Sequence, residues 1–224
     1  MDISLTREGP VALIRWNDGE NRINLDSIAR LNEIFDELDE VTDPLAVVWT
    51  GAGKFFSNGL DLERFAAAPD EMNATVSALH VLFGRILVFP AYTVAAINGH
   101  AFAGGAMLSC TTDLRVMRSD RGFWCLNEAE LGLPLTDEMA AVVFGRLPAT
   151  AAREAALTAR RFSAADALAA GIVELIAPEE DVLPLAVARA AEVATKDRRV
   201  IKVHKRQAFG DIARRVGFDP ERSR

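Results

Sequence analysis

Cysteine is scarce in this chain, and long apolar runs are missing. Only two of the 224 residues are cysteines, Cys110 and Cys125, and both lie in apolar stretches. This placement is typical of buried free thiols rather than of a disulfide. No apolar run approaches the roughly 20 residues that a membrane-spanning helix needs, so we expect no membrane partner. No cluster of metal-ligating residues is visible, so we predict no metal site.

Positive charge is also in deficit. The net charge of −7 at pH 7 opposes the clustered cations that neutralise phosphates, which argues against a nucleic-acid partner. The exception is segment 198–209, which is basic and compatible with a helix. The N-terminus lacks a basic stretch followed by an apolar one, and the chain does not end in a peroxisomal Ser-Lys-Leu signal. We therefore expect a cytoplasmic protein.

The apolar pattern predicts alternating strands and helices. Half of the residues are hydrophobic, enough for a sizeable core in one domain over residues 1–224. Apolar residues three or four apart between Leu25 and Leu38 predict a helix between two buried strands. The predicted strands are 11–16, 45–50, 93–97, 114–117 and 122–126, and the further helices are 104–111, 149–159, 163–170, 179–196 and 200–215. This alternation favours a mostly parallel sheet, with a core to about residue 195 and a basic helix and tail over 196–224.

Two predicted strands end in glycines and small residues. The first such segment is 50–62 and contains Gly59, and the second is 93–108 and contains Gly104 and Gly105. Glycine lets the backbone approach a ligand closely, and a helix start leaves N–H donors free. Two such donors from separate loops would form an oxyanion hole for the charge on a thioester or ester oxygen.

A carboxylate lies in the largely apolar stretch 123–134. Burial penalises the ionised form, so the pKa of Glu128 is expected to be raised toward neutrality, where a base can both take and return a proton. Glu130, two residues later, remains the alternative reacting carboxylate.

These segments resemble the crotonase superfamily, also called the enoyl-CoA hydratase/isomerase family. The resemblance spans roughly residues 5–209 and rests on 56–62, 98–105 and the segment around Glu128. It implies an α/β fold of the crotonase (ClpP/crotonase-like) type, a spiral of ββα units with a helical C-terminal region. It also implies N–H donors at Leu60 and Gly104, an acyl-CoA thioester substrate with no separate cofactor, and a homotrimer or dimer of trimers.

One departure from the family pattern favours one reaction. Enoyl-CoA hydratases carry two glutamates that position water, and here the first of those positions is Met107. Moving a double bond needs only one base that shuttles a proton, and 126–133 resembles the corresponding stretch of Δ3,Δ2-enoyl-CoA isomerases. The resemblance therefore implies a β-oxidation isomerase with Glu128 as its base. The alternatives are a hydratase or another acyl-CoA lyase or hydrolase, and a silent acyl-CoA-binding protein.

Further substrate contacts are expected around these motifs. Arg22 lies where the family lines the coenzyme A entrance, although an ordinary surface arginine is the alternative. The basic segment 198–209 could contact coenzyme A phosphates, or be a solvated or subunit-facing helix. Asp61 could also fix the first loop through backbone N–H bonds. The other predicted substrate-binding residues are Asn58, Gly59, Leu62, Gly105, Met107, Leu126 and Gly132.

Overall fold

The computed structural model describes residues 2–221, in which strands and helices alternate. The strands are β1 (Ile3–Glu8), β2 (Val11–Trp16), β3 (Ala46–Gly51), β4 (Phe55–Ser57), β5 (Tyr92–Ile97), β6 (His100–Phe102), β7 (Leu114–Arg118), β8 (Trp124–Cys125) and β9 (Leu175–Ala177). The helices are α1 (Leu25–Asp39), α2 (Leu62–Ala67), α3 (Asp70–Leu87), α4 (Gly104–Cys110), α5 (Glu128–Leu131), α6 (Asp137–Arg146), α7 (Ala149–Thr158), α8 (Ala164–Ala169), α9 (Glu179–Ala194) and α10 (Arg198–Arg215).

Six strands form a large sheet in the order β1-β2-β3-β5-β7-β9. Only the β1–β2 pair is antiparallel, and the other neighbours are parallel. Every residue of β3 is buried, as expected for a parallel strand covered on both faces. Helix α9 packs on one face of this sheet. Its buried residues Ala186, Ala190 and Ala194 are small enough for the helix to lie close to the sheet. The mostly parallel sheet predicted from the sequence is confirmed.

Three short strands, β4, β6 and β8, form a second parallel sheet. The chain passes from β3 to β4, from β5 to β6 and from β7 to β8, and a helix follows each pair. Each turn therefore gives one strand to the large sheet, one strand to the small sheet and one helix. This is the spiral of ββα units that the resemblance implies. The turn from each small strand into its helix places loop backbone at one edge of the core.

Several elements were missed or misjudged in length. The sequence did not predict β1, β4, β6, β9, α5 or α6. For 62–89 it indicated a loop and one helix without bounds, where the structure has α2 and the 18-residue α3. The predicted strand 122–126 is wrong in length, because β8 has only two residues. Gly122 has φ +98° and packs against the backbone of Gly99, so the chain enters β8 from a turn. The two free buried thiols, Cys110 and Cys125, are confirmed.

The C-terminal helix α10 belongs to the same packed body as the spiral. It contacts α3 and α6, and its residue Lys205 is buried with Nζ 2.7 Å from Oδ2 of Asp113. The predicted tail beyond residue 221 lies outside the described residues. Within residues 2–221, no helix is long and apolar enough to span a bilayer.

Candidate active site

A cavity of about 550 Å³ opens where the helices follow the small sheet. Six of the predicted site residues line it: Arg22, Asn58, Leu60, Leu62, Gly104 and Glu128. Residues from three consecutive turns of the spiral therefore meet at one place. The ββα repeat explains this meeting, because it returns the chain to the same edge after each turn.

The first oxyanion loop is fixed by two backbone hydrogen bonds to Ile23. The Ile23 N–H donates to the Gly59 carbonyl at 2.7 Å, and the Asp61 N–H donates to the Ile23 carbonyl at 2.9 Å. Successive peptide groups of an extended chain point to opposite sides. The N–H of Leu60 therefore points away from Ile23, and no hydrogen bond from it is found within residues 2–221. It is available to an oxyanion.

The second predicted donor begins helix α4. Gly104 is the first residue of that helix, where N–H groups have no partner within the helix. The preceding residue, Ala103, has φ +49°, a left-handed conformation that costs a non-glycine residue roughly 1–3 kcal/mol. This strained turn aims the first N–H groups of α4 toward the first loop.

Glycines allow the two loops to approach each other. Gly59 has φ +79°, and a Cβ atom there would lie 2.8 Å from the Cβ of Ala103 and 3.2 Å from the nitrogen of Gly104. A Cβ atom on Gly105 would lie 2.4 Å from the Ser57 carbonyl oxygen. No larger residue fits either place without displacing backbone. These contacts bring the N–H groups of the two loops together in one site.

Glu128 brings a buried carboxylate to the same cavity. Its Oε2 atom is buried, with no hydrogen-bond partner among the described residues. Burial raises the pKa of Glu128, and a hydrogen bond from its own backbone N–H opposes this. Glu130 instead points outward, with 58% of its side chain exposed and a carboxylate oxygen 3.8 Å from Arg161. The geometry favours Glu128 over Glu130 as the carboxylate that faces a bound ligand.

Arg22 lies at the mouth of the cavity and is held by carboxylates. Its guanidinium is 2.8 Å from Glu20, 3.0 Å from Glu63 and 3.6 Å from Asp61. Asp61 also caps α2, since its side chain accepts the Arg64 N–H at 3.2 Å. The structural role expected for Asp61 is therefore present, and Asp61 does not line the cavity.

Several predicted contact residues lie outside the cavity wall. Met107 and Leu126 are buried in the main core. Gly132 ends α5 in a left-handed conformation with φ +70° and is exposed. Gly59 and Gly105 shape the loops without lining the cavity. For these residues a direct contact with substrate has no support in the geometry.

The basic segment 198–209 does not line the cavity, and its contact with coenzyme A phosphates stays a prediction. No residue of α10 is among the described residues that line the cavity. Arg198 donates to the Pro90 carbonyl at 3.0 Å, Lys205 pairs with Asp113, and Arg206 donates to the Pro220 carbonyl at 2.8 Å. These cations attach α10 to the rest of the chain.

The sequence analysis missed much of the apolar wall. It comes from α3, from the last residue of α5 and from the chain that follows, in the residues Met72, Val76, Leu131, Leu133, Pro134 and Met139. The available signal was that Leu131 and Leu133 are large apolar residues beside a predicted loop. Within residues 2–221 no group of three or more His, Cys, Asp or Glu side chains is placed to hold a metal ion.

Known proteins resemble this chain over nearly its whole length. The family model of enoyl-CoA hydratase/isomerase matches residues 6–215. The chain is 30% identical over 224 residues to enoyl-CoA delta isomerase 3 of Arabidopsis thaliana, covering 95% of this chain and 94% of that protein. It is 26% identical over 235 residues to the short-chain-enoyl-CoA hydratase of Clostridium acetobutylicum, covering 98% and 87%.

Solved structures confirm the predicted crotonase fold. An enoyl-CoA isomerase of Mycobacterium tuberculosis superposes with a TM-score of 0.87 at 29% identity, covering 96% of this chain and 93% of that chain. An enoyl-CoA hydratase of Mycobacterium ulcerans gives a TM-score of 0.89 at 29% identity, covering 96% and 94%. Both reactions occur among the names of proteins this similar. The chain belongs to the enoyl-CoA hydratase/isomerase family.

Proposed function

We propose that this protein is an isomerase that converts 3-enoyl-CoA to trans-2-enoyl-CoA in fatty-acid β-oxidation. The observation that carries the proposal is the buried, unpaired Oε2 of Glu128 in the wall of a cavity that Leu60 and Gly104 also line, with no hydrogen bond from either backbone N–H found within residues 2–221. The other carboxylate of the cavity wall, Glu63, is 83% exposed and paired with Arg22. At the position where hydratases carry a further glutamate, Met107 is buried in the core. One base is what a double-bond shift requires.

The proposed mechanism moves one proton along the acyl chain. Glu128 takes a proton from C2 of the 3-enoyl thioester, and the electrons of that C–H bond delocalise into a dienolate. The N–H groups of Leu60 and Gly104 hydrogen-bond the dienolate oxygen. The Glu128 carboxyl then returns its proton to C4, which leaves the double bond between C2 and C3 and regenerates the carboxylate. The atoms and charge balance without a cofactor.

The raised pKa of Glu128 supports both halves of this cycle. A carboxylate that burial makes more basic is better able to take a carbon-bound proton, and the same group must return it as an acid. Positioned acid–base groups contribute roughly 10²–10⁴-fold to rates, and one oxyanion donor contributes about 3–4 kcal/mol. Both groups are needed for a useful rate.

The cavity wall is suited to an alkenyl chain. The residues Met72, Val76, Leu131, Leu133 and Met139 give it a largely apolar surface. Methionine side chains are flexible and adapt to chains of different shape. Apolar contact of this kind binds the acyl part without competing for the proton of Glu128.

Assembly and location remain parts of the proposal. We propose a homotrimer or dimer of trimers, supported by apolar side chains on the helical side such as Leu157, which is 74% exposed. The cytoplasmic location is proposed from the sequence alone. Sedimentation of the purified protein tests the first, and localisation of a tagged full chain tests the second.

Hydration is the second candidate reaction, because similar proteins carry hydratase names. Water would add across C2 and C3 with Glu128 as its base, but the described residues place no second buried carboxylate in the cavity wall to orient it. The mass of the product separates hydration from isomerisation.

The test is turnover of trans-3-hexenoyl-CoA and of crotonyl-CoA, with Glu128→Gln measured beside the wild type. We expect 2-hexenoyl-CoA of unchanged mass, and a loss of roughly 10²–10⁴-fold in the variant. A product one water heavier as the main product would show a hydratase. Thioester binding without any turnover would show a silent binding protein.

A further inference from the structure

Arg22 is the one cation among the described residues that line the cavity. Its side chain is 27% exposed, so an anion at the cavity mouth can reach it. Arg64, the nearby cation on α2, is engaged elsewhere, because its guanidinium pairs with Asp26 and Glu71. Arg22 is therefore the side chain of the cavity wall that can attract an anionic group of a substrate.

Three carboxylates surround the Arg22 guanidinium. Nε donates to Oε2 of Glu20 at 2.8 Å, and Nη2 lies 2.8 Å from the same oxygen. Nη2 also donates to Oε1 of Glu63 at 3.0 Å, whereas Nη1 lies 3.6 Å from Oδ1 of Asp61, beyond hydrogen-bonding distance. This group at the cavity mouth thus has one positive and three negative charges.

Glu63 differs from the other two carboxylates in how it is held. Glu20 also accepts the Asn58 amide at 2.8 Å, and hydrogen bonds from Arg22 and Asn58 lower the pKa of Glu20. Asp61 caps α2 through its side chain. Glu63 is 83% exposed, and its one hydrogen bond within residues 2–221 is to Arg22. Of the three, Glu63 alone also lines the cavity.

Glu63 covers the edge of Arg22 that a phosphate would use. An arginine binds a phosphate most specifically through two parallel N–H groups. The Nε–Nη2 edge of Arg22 already faces Glu20, so the Nη1–Nη2 edge remains, and its Nη2 half donates to Glu63. A phosphate can form the paired contact only by displacing Glu63, and the negative charge of Glu63 repels it.

We propose that Glu63 is a specificity-determining residue, which weakens the binding of coenzyme A thioesters relative to thioesters of the uncharged carrier pantetheine. The inference rests on the proposed function, because it takes a coenzyme A thioester as the substrate. Pantetheine carries the same thioester without the phosphates that the cavity mouth repels. Glu63 is exposed at the mouth and Oε2 of Glu128 is buried, so we expect the charge of Glu63 to affect binding rather than proton transfer.

The experiment compares Glu63→Gln with the wild type on trans-3-hexenoyl-CoA and on trans-3-hexenoyl-pantetheine. Glutamine keeps the side-chain length and removes the charge, and an exposed ion pair contributes little to stability, so the variant should fold. At about 0.01 M salt we expect KM for the coenzyme A thioester to fall by roughly three- to tenfold with kcat unchanged. KM for the pantetheine thioester should stay within about twofold of the wild-type value.

Salt and a matched variant separate the local charge from other effects. In about 1 M salt, where charges are screened beyond roughly 3 Å, the two proteins should have the same KM for the coenzyme A thioester. Glu33→Gln is the matched control, because it removes the same charge from another exposed pair with an arginine. Glu33 lies 3.1 Å from Arg30 and does not line the cavity. This control should leave KM unchanged at either salt concentration.

An unchanged or higher KM for the coenzyme A thioester in Glu63→Gln would overturn the proposal. An equal fall in KM for the pantetheine thioester would also overturn it, because the effect would then not depend on the phosphates. The same holds for an equal fall in Glu33→Gln or for a fall that persists undiminished in high salt.

Binding without turnover provides the second readout. Hexanoyl-CoA has no double bond to move, so calorimetric titration reports its affinity directly. At about 0.01 M salt we expect Glu63→Gln to bind hexanoyl-CoA roughly three- to tenfold more tightly than the wild type does, and to bind hexanoyl-pantetheine equally.

The two readouts distinguish the role of Glu63 from the proposed reaction. A gain in affinity for hexanoyl-CoA alone, without turnover of 3-enoyl thioesters, would support the role of Glu63 and overturn the isomerase. Isomerase turnover with no such gain would do the reverse. Absence of hexanoyl-CoA binding to both proteins would overturn both.

Discussion

Two buried charges in this protein have opposite surroundings. Lys205 on α10 lies 2.7 Å from Asp113, and the N–H and hydroxyl of Thr93 donate to the same carboxylate oxygen. Glu128 on α5 is also largely buried, but its Oε2 has no hydrogen-bond partner within residues 2–221. Lys205 and Asp113 pair inside the protein, whereas Glu128 belongs to the wall of the cavity.

The difference distinguishes a charged pair that stabilises the fold from a carboxyl group that can exchange a proton. A buried charge is tolerated in a core only when partners replace its water, so the pair of Lys205 and Asp113 fastens α10 to the core. Burial raises the pKa of Glu128, opposed only by a hydrogen bond from its own backbone N–H, so this carboxyl can exchange a proton. The unpaired oxygen of Glu128 and the strained turn at Ala103 both lower local stability, and both lie at the proposed site of reaction.

The largest effect is expected from breaking the structural pair. Lys205→Met leaves Asp113 buried without its cation, so the free energy of unfolding should fall by about 3–5 kcal/mol. Urea unfolding at pH 7 measures this. Arg199→Met is the control on the same helix, because Arg199 is 91% exposed and only its surface ion pair with Asp197 is lost, so the midpoint should change little. Equal midpoints in the two variants would contradict a stabilising role for the buried pair.

Disturbing the contact between Gly59 and Ala103, which brings the two glycine loops together, is expected to have a slightly smaller effect. Gly59→Ala places a Cβ atom 2.8 Å from that of Ala103 and pushes the two N–H donors apart. We expect kcat on trans-3-hexenoyl-CoA to fall by about 10²–10³-fold. Gly53→Ala is matched, since Gly53 has a similar φ of +65° with no atom within 4 Å of the added Cβ. A comparable loss of kcat in Gly53→Ala would mean that backbone strain, rather than separation of the two N–H donors, lowers kcat.

Glu128→Gln should stabilise the protein at high pH, the opposite of the Lys205 change. Because the folded pKa of Glu128 is raised, the folded state holds more protons between the unfolded and folded pKa values, and stability falls as pH rises through that window. Glutamine carries no charge, so the variant should unfold at higher urea than wild type at pH 8. The difference should vanish below about pH 4, and it should be smaller than the Lys205 effect. A less stable variant at pH 8 would contradict this.

The smallest effect is expected at the neighbouring carboxylate. Glu130 is exposed and only loosely paired with Arg161. Glu130→Gln should change kcat/KM by no more than about twofold, as for surface substitutions generally. A loss comparable with that in Glu128→Gln would make Glu130 the reacting group.

Sequence patterns were most informative where burial is simple. The apolar runs of β2, β3 and β5 were located to within one residue. For β3 and β5 the reason is that parallel strands buried on both faces leave little ambiguity. Helix α1 was equally clear from its apolar spacing. The short strands β4 and β6 were missed, since three residues carry too little periodicity to be distinguished from a loop.

The motif residues of the site were predicted from the sequence, whereas most of the apolar residues that line the cavity were not. Glu128, Leu60 and Gly104 do meet at one cavity, while their catalytic roles stay predictions. The contacts of the basic segment 198–209 were not predictable, because a cation on an amphipathic helix can face solvent, a ligand or the protein's own carbonyls.

The sequence by itself determined the α/β alternation, the two glycine loops and the presence of carboxylates in an apolar stretch, because these depend on residue type and local spacing. Only the tertiary structure decided which atoms are left without partners. Whether Oε2 of Glu128 is satisfied depends on donors far away in the chain, and only the packing of α3, α5 and α6 around one cavity shows that the described residues supply none. Hydrogen bonding is set by distance in space, which local sequence does not specify.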